Sequence, residues 1–286
     1  MPRPIVRAAS EMLLATASFA VMTMLVRVAG RSLDPLFLVW IRGLLGFCIL
    51  WPYLYLRQIS ILGTHRAMLL IRAAVGCVGV CLVFFSAKWI PVSDAVSLFM
   101  TSALYVPFVA AVFLKEHLHW HTVKLASLGF LGMLLIVQPG FAEINRGIFY
   151  GLAAGVVHAF VYTTLRGLSS REHSLTVVGY FLGGSALFTT PWVAFPTTLP
   201  QPATLFIILG IVISGFLGQI FLTRAYAHAP AARVTPYIYG EVVFAALLGW
   251  YFLSEIPNLP ATVGMALICA SGWALSRVVA PATDIS

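Results

Sequence analysis

Three ionisable side chains interrupt long apolar stretches of the sequence: Glu241, His158 and Arg42. An ionisable group inside a lipid bilayer is costly and normally faces a cavity or a partner. Glu241 could bind an ammonium group or exchange a proton, and His158 could relay a proton. Arg42 could bind a carboxylate or phosphate through two parallel hydrogen bonds. The alternative for each is a structural hydrogen bond between helices or, for Arg42, a side chain that extends to the membrane surface.

Neighbouring residues extend this candidate set. Tyr237 lies one turn before Glu241 on the same face of the predicted ninth helix, and Tyr162 follows His158 by one turn. Aromatic side chains at these positions could line a cavity, although interfacial belts also use them. The candidate substrate-binding or coupling residues are Glu241, His158, Arg42, Tyr237, Tyr162, Trp40, Tyr239 and Gln219. Two further acidic residues have a structural explanation, since Asp94 could cap a helix and Glu11 could reach the membrane surface.

The composition determines which elements can position these residues. Of the 286 residues, 9% are charged and 60% are hydrophobic, and the mean hydropathy is +0.97. A soluble protein carries about 25% charged residues. Since one membrane crossing needs about 20 apolar residues, a chain of this length has room for around ten. The composition therefore predicts an all-α integral membrane protein without a separate soluble domain.

Charges, prolines and glycines divide the sequence into ten apolar spans. They are approximately 9–29, 36–56, 67–87, 92–114, 122–138, 147–167, 174–196, 203–223, 231–253 and 261–279. The first span is too long for a signal peptide and lacks a small-residue cleavage site, so we expect a retained helix. The sequence thus predicts ten transmembrane helices.

The distribution of basic residues predicts the orientation. If the N-terminus is cytoplasmic, twelve Lys and Arg residues fall on the cytoplasmic side, Arg72 among them, and four fall on the other side. Basic residues favour the cytoplasmic side of membrane proteins. Both termini are therefore predicted to be cytoplasmic.

The sequence repeats itself at a constant offset of 139 residues. Arg27 then matches Arg166, Pro91 matches Pro230, and the segments ending in Glu116 and Glu255 coincide. The repeats, 9–138 and 147–279, each contain five spans, so the second copy is expected to be inverted. Inverted repeats are typical of secondary transporters, whose substrate site lies between the halves near the midplane. A duplicated scaffold without transport is the alternative.

Several helix-breaking or small residues occupy equivalent positions in the two repeats. We predict gating or hinge roles for Pro91, Pro230, Gly76, Gly79, Gly215 and Gly218. Alternating access needs flexion around a central site, but close helix packing explains these glycines equally well. Glu116 and Glu255, near helix ends, are expected to close loop contacts or gates rather than bind substrate.

Motifs near the end of each repeat resemble the EamA module of the drug/metabolite transporter superfamily. They are Ile90-Pro91, Asp94-Ala95, Phe113-Leu114-Lys115-Glu116, Gly129, Gly132 and Pro139-Gly140 in the first half, and Ala229-Pro230-Ala231-Ala232, Phe252-Leu253-Ser254-Glu255, Gly264 and Gly272 in the second. Arg42 also resembles an arginine that this family has in its second helix. The resemblance implies a ten-helix inner-membrane carrier of small organic metabolites, often an exporter. It also implies a cavity lined by the first four helices of each half.

Other function classes find little support in the sequence. No Walker motif is present, so no ATP hydrolysis is expected. His117, His119 and His121 form a tract without enough further ligands for a metal, and Cys48, Cys77, Cys81 and Cys269 are expected to be apolar packing residues. We expect no cofactor, no metal and no nucleic-acid partner. An integral-membrane enzyme or a channel remains the alternative to a carrier.

The sequence and its family resemblance therefore predict a bacterial-type, multi-pass inner-membrane protein. It is expected to export a small organic metabolite, an amino acid, vitamin or related compound, by alternating access. The expected partners are the substrate and the lipid bilayer. Coupling to protons or other ions, and a homodimer, are options that the sequence leaves open.

Overall fold

The computed structural model describes residues 3–102, 104–105, 108–109, 120–137, 145–168, 171–196, 201–228 and 235–278. Within these ranges the chain forms ten α-helices and no β-strand. The helices are α1 (Arg3–Ala29), α2 (Pro35–Leu56), α3 (Arg66–Trp89), α4 (Val92–Met100), α5 (Trp120–Val137), α6 (Arg146–Leu168), α7 (Ser174–Thr189), α8 (Pro202–His228), α9 (Gly240–Leu253) and α10 (Leu259–Val278). Each predicted span overlaps one of these helices, although α4 ends at Met100, well before the end of the predicted span 92–114.

The helices differ in their capacity to cross a membrane. In the part of the chain that the structure describes, five segments are long and apolar enough to do so by length and composition: Val6–Ala29, Pro35–Leu56, Arg66–Trp89, Arg146–Leu165 and Pro202–His228. Three shorter apolar helices are Val123–Ile136, Tyr237–Leu253 and Leu259–Ala274. Large apolar side chains such as Tyr251 and Phe206 are exposed on the outer surface, where lipid would cover them.

The helices pack mainly across the two halves of the chain. α1 packs against α8, α3 against α6, α2 against α7, and α9 contacts both α1 and α4. α5 pairs with α10, where Gly132 and Gly264 lie so close that a methyl group on either would collide with the backbone of the other. Small residues permit this close approach of backbones in a membrane.

The segment predicted as one helix over 231–253 is different in the structure. Thr235–Tyr239 forms a 3₁₀ turn, and the α-helix begins only at Gly240. Pro236 removes a backbone donor and disfavours helix before it, and Gly240 is a weak helix former. Glu241 therefore lies in the first turn of α9 rather than at the middle of a helix.

A carboxylate connects two loops at one end of the molecule. Oε1 of Glu172, before α7, accepts hydrogen bonds from Thr64 N (2.8 Å), Thr64 Oγ1 (2.6 Å) and His65 N (2.5 Å), in the loop before α3. The hydrogen bond from the Thr64 side chain is the main reason why the pKa of Glu172 is lowered to about 2, with those from the backbone and His65 adding to it. We call this arrangement the loop clasp.

Candidate functional site

A central cavity lies between the two halves of the chain. The described residues that line it belong to α1–α4, α6–α8, the 3₁₀ turn and the first turn of α9, whereas α5 and α10 contribute none of them. This distribution is the one implied by the family resemblance. The space between the lining atoms, including the part open to solvent, amounts to about 640 Å³.

Five of the eight predicted site residues line this cavity. They are Glu241, His158, Arg42, Tyr162 and Gln219. Residues predicted from opposite ends of the sequence are thus brought together, because α1 and α3 each pack on a helix of the other half.

The other three predicted residues are not part of the cavity lining. Trp40 donates a hydrogen bond from Nε1 to Thr190 Oγ1 (3.1 Å) and packs against Phe195. Tyr239 is buried against Gly272 instead. Tyr237 was expected on the same helix face as Glu241. It lies instead in the 3₁₀ turn, which has three residues per turn, so the two residues do not share a face and Tyr237 does not line the cavity.

Glu241 is buried in the cavity wall, with 3% of its surface exposed. Within the described ranges, no hydrogen bond or salt bridge satisfies its carboxylate. It lies in the first turn of α9, which follows directly on the 3₁₀ turn Thr235–Tyr239. Glu241 can therefore hold a cationic group or a proton.

His158 faces the cavity in a fixed orientation. Its Nδ1 lies 2.9 Å from the carbonyl oxygen of Ala154, and its ring packs at 4.8 Å from Phe99 and 6.0 Å from Tyr162, measured between ring centroids. Because a carbonyl oxygen only accepts, Nδ1 is the protonated nitrogen. Nε2 is then available as an acceptor in the neutral ring, or as a donor in the charged one.

Two arginines, not one, belong to the cavity. Arg42 and Arg72 are 1% and 3% exposed, and the guanidinium carbons lie 5.3 Å and 4.9 Å from the centroid of the Phe181 ring. Nε, Nη1 and Nη2 of Arg42 and Nε and Nη1 of Arg72 have no hydrogen-bond partner among the described residues. Both cations are thus held by an aromatic face and lack a counter-ion there.

Arg72 and Phe181 were not among the cavity residues predicted from the sequence. Arg72 lies six residues after Arg66, the first residue of α3, or about 9 Å along the helix axis. It was counted among the basic residues on the cytoplasmic side. Because it is buried, that side has eleven Lys and Arg residues instead of twelve, and the other side still has four. One feature of the sequence could have indicated its position in the cavity: Arg72 lies four residues before Gly76, on the same helix face, where a glycine leaves room for a large side chain.

The predicted hinge glycines provide space for side chains of the cavity. A side chain at Gly76 would collide with Arg72, and one at Gly215 with Arg42. Gly79 and Gly218 lie in the same way against the rings of His158 and Phe19. The structure thus gives all four a close-packing role, and their hinge role stays a prediction.

Polar residues near the helix ends also differ from expectation. Glu11, expected at the membrane surface, is buried and lies 2.7 Å from both Arg224 Nη2 and His228 Nδ1. Asp94 makes no cap at α4, where Pro91 is the N-cap residue. Glu255 caps that helix from the other half, since Oε2 accepts from Val92 N (2.9 Å).

Some predicted residues lie outside the described part of the chain. They are Pro230, Glu116, His117 and His119. Among the described residues, His, Cys, Asp and Glu form no cluster of three or more that could hold a metal ion.

Comparison with known proteins links the cavity to a family. The model of the EamA-like transporter family matches twice, over residues 7–138 and 145–277. The chain is 34% identical over 271 residues to the pseudopaline exporter of Pseudomonas aeruginosa, covering 92% of this chain and 94% of that one. The S-adenosylmethionine uptake transporter of Rickettsia felis is 22% identical, covering 90% and 87%. The riboflavin transporter of Vibrio cholerae is 26% identical, covering 71% and 68%.

A solved crystal structure shares the fold. It superposes with a TM-score of 0.66 at 19% sequence identity, covering 95% of this chain and 97% of that one.

Proposed function

Because the chain belongs to the EamA-like transporter family, and is thus a multi-pass inner-membrane transporter of small metabolites rather than an enzyme, we propose that it exports a small organic metabolite that binds in the central cavity. The observation that carries the proposal is the cavity itself. It is enclosed by both halves of the chain and lined by ionic side chains that lack partners among the described residues. Such groups are costly in a bilayer protein unless a ligand uses them.

Alternating access is the proposed mechanism. The helix contacts support it. If each helix is replaced by its equivalent 139 residues away, the pair α1–α8 becomes the pair α6–α3, which is also in contact. The pairs α2–α7, α4–α9 and α5–α10 each stay the same pair. This is the packing expected of two repeats, 9–138 and 147–279, related by a two-fold axis. Five helices per repeat make the second one inverted, with both termini cytoplasmic.

The direction of transport is also proposed. The exporter at 34% identity supports outward movement, and the uptake transporter at 22% identity is more distant. Glu241 and His158 are the proposed binding or proton-coupling residues, with Arg42, Tyr162 and Gln219 completing the site.

Flux in proteoliposomes tests this function. Purified protein should accumulate at least one metabolite of a broad panel in a saturable manner, and Glu241→Gln should reduce that flux by at least about tenfold, the equivalent of ~1.4 kcal/mol. Comparing flux with and without a proton gradient identifies coupling. Asp34→Asn is the matched control, because it is also an acid-to-amide change, Asn is a good N-cap, and Asp34 caps α2 away from the cavity.

Two outcomes would contradict the proposal. Wild-type flux in Glu241→Gln at every pH would remove Glu241 from the site. Single-channel currents across the same membranes would indicate a channel instead of a carrier.

A further inference from the structure

The charged groups of the cavity occur where the two halves of the chain differ. Under the 139-residue offset, Arg42 corresponds to Phe181, Arg72 to Ile211 and Glu241 to Ser102. By contrast, Gly76 and Gly215 correspond to each other and both provide room for an arginine. The shared residues build the cavity, and the differing ones give it its charge. The charges are therefore not part of what the two halves have in common.

The arginines require negative charge from outside the protein. A guanidinium group stays protonated in proteins, and these two like charges lie 5.3 Å and 4.9 Å from the centroid of the same Phe181 ring. Their five unsatisfied nitrogen atoms are buried, and within the described ranges Phe181 supplies only cation–π contact. A carboxylate satisfies one guanidinium group through two parallel hydrogen bonds. Two carboxylates are needed to give each arginine its own partner.

Glu241 does not supply that negative charge. Among the described residues no salt bridge joins the Glu241 carboxylate to the guanidinium group of Arg42 or Arg72, although all three side chains line the same cavity. The cavity therefore has a cationic part formed by Arg42 and Arg72 and a separate acidic part formed by Glu241. A ligand that spans both parts needs anionic groups at one end and a cationic group at the other.

From this arrangement we propose that the transported compounds are aminodicarboxylates: two carboxylates bind Arg42 and Arg72, and a protonated amine binds Glu241. This proposal rests on the proposed transport function. With Glu241 ionised the three groups carry a net charge of about +1, which a substrate of net charge −1 neutralises. The burial of these groups then becomes favourable only when the substrate is present.

A substrate panel grouped by charge tests the proposal in proteoliposomes. L-aspartate, L-glutamate and N-carboxymethyl amino acids with larger side chains represent the proposed class. Glutarate lacks the amine, 4-aminobutanoate lacks one carboxylate, phosphoserine offers a phosphate, and n-butylamine has no acid group. We expect at least about tenfold higher flux for the aminodicarboxylates. Preference for any other group overturns the proposed class and leaves the transporter function intact, whereas absence of flux for the whole panel counts against both.

Ligand binding by variants tests the residue assignment without relying on flux. Thermal unfolding of the protein in nanodiscs is measured with L-glutamate, or the best-transported panel member, and with its analogue lacking the amine. Arg72→Gln should lose at least about tenfold in affinity for both compounds. Glu241→Gln should lose affinity only for the compound with the amine.

The matched control is Arg57→Gln, an exposed arginine at the end of α2, which should bind both compounds as the wild type does. Unfolding without ligand checks that each variant is folded. Undiminished binding of the compound without the amine by folded Arg72→Gln, or an equal loss for both compounds in Glu241→Gln, would overturn the assignment.

Discussion

Arg42 and Arg72 are buried cations that the substrate-free protein leaves without an ionic partner among its described residues. Burial of an unpaired charge costs several kcal/mol, even after the protein relaxes around it. The desolvated cation–π contacts with Phe181 return only part of this cost, about 2 kcal/mol each. These two arginines thus lower the stability of the substrate-free protein, a trade-off that is common where function needs a destabilised site.

We therefore predict that Arg72→Met raises the melting temperature of the substrate-free protein by several degrees while it abolishes transport. Replacing buried charges with apolar groups of similar volume has stabilised other proteins by about 1–4 kcal/mol. Thermal unfolding in nanodiscs, together with flux in proteoliposomes, measures both effects. Leu69→Ala, on the same helix and fully buried, is the comparison and should lower the melting temperature. A melting temperature of Arg72→Met below that of the wild type would contradict the prediction.

The sequence predicts cavity residues only where they lie deep in an apolar stretch. Glu241, His158 and Arg42 met that condition and do line the cavity. Arg72 did not, since an arginine near a helix end can also extend its head group to the membrane surface. Tyr237 failed for a different reason, because the face it occupies depends on whether the backbone before Glu241 is α-helical or 3₁₀.

At the scale of helices, the end of one half stabilises the start of an element in the other. Glu255 follows α9 in the second half, and its Oε1 accepts a hydrogen bond from Arg27 Nε of α1 (2.9 Å). Arg27 Nη1 also donates to the carbonyl oxygen of Lys88 at the end of α3 (2.7 Å). Together with the bond from Val92 N, these contacts connect the ends of α1 and α3 and the start of α4 to Glu255.

This arrangement predicts strong coupling between Arg27 and Glu255. Arg27→Gln and Glu255→Gln should each lower the free energy of unfolding by about 1.5–3 kcal/mol, the range for a hydrogen bond to a charged group. The double variant should lose little more than either single one, because both substitutions break the same contact. A double-mutant cycle by thermal unfolding measures this, with exposed Arg31→Gln as the control. Strictly additive losses would show that the contact contributes nothing.

The positions of the helices were predictable because proline, glycine and charged residues punctuate the apolar stretches. α2, for example, was predicted over 36–56 and extends over Pro35–Leu56. The partners of each helix were not predictable from periodicity, because in a membrane protein the faces toward lipid and toward other helices are both apolar. The crossing of α5 and α10 at Gly132 and Gly264 is an example.

For the molecule as a whole, the orientation in the membrane is a prediction that can be tested directly. If the N-terminus is cytoplasmic, Ser32 between α1 and α2 faces the periplasm and Ser60 between α2 and α3 faces the cytoplasm. In a variant without its native cysteines, Ser32→Cys should react with a membrane-impermeant maleimide in intact spheroplasts. Ser60→Cys should react only after permeabilisation. Both serines are exposed, so each serves as the other's control. The opposite labelling pattern would reverse the proposed topology.

The loop clasp has a consequence for how the molecule responds to acidity. A carboxyl group whose pKa is lowered to about 2 by folding stabilises the protein fully above its unfolded value of about 4.5. That stabilisation is lost only as the pH falls from there through about 2. Over the range that a living cell maintains, Glu172 therefore does not change its protonation. If a proton gradient drives this carrier, a group other than the Glu172 carboxylate must accept the proton.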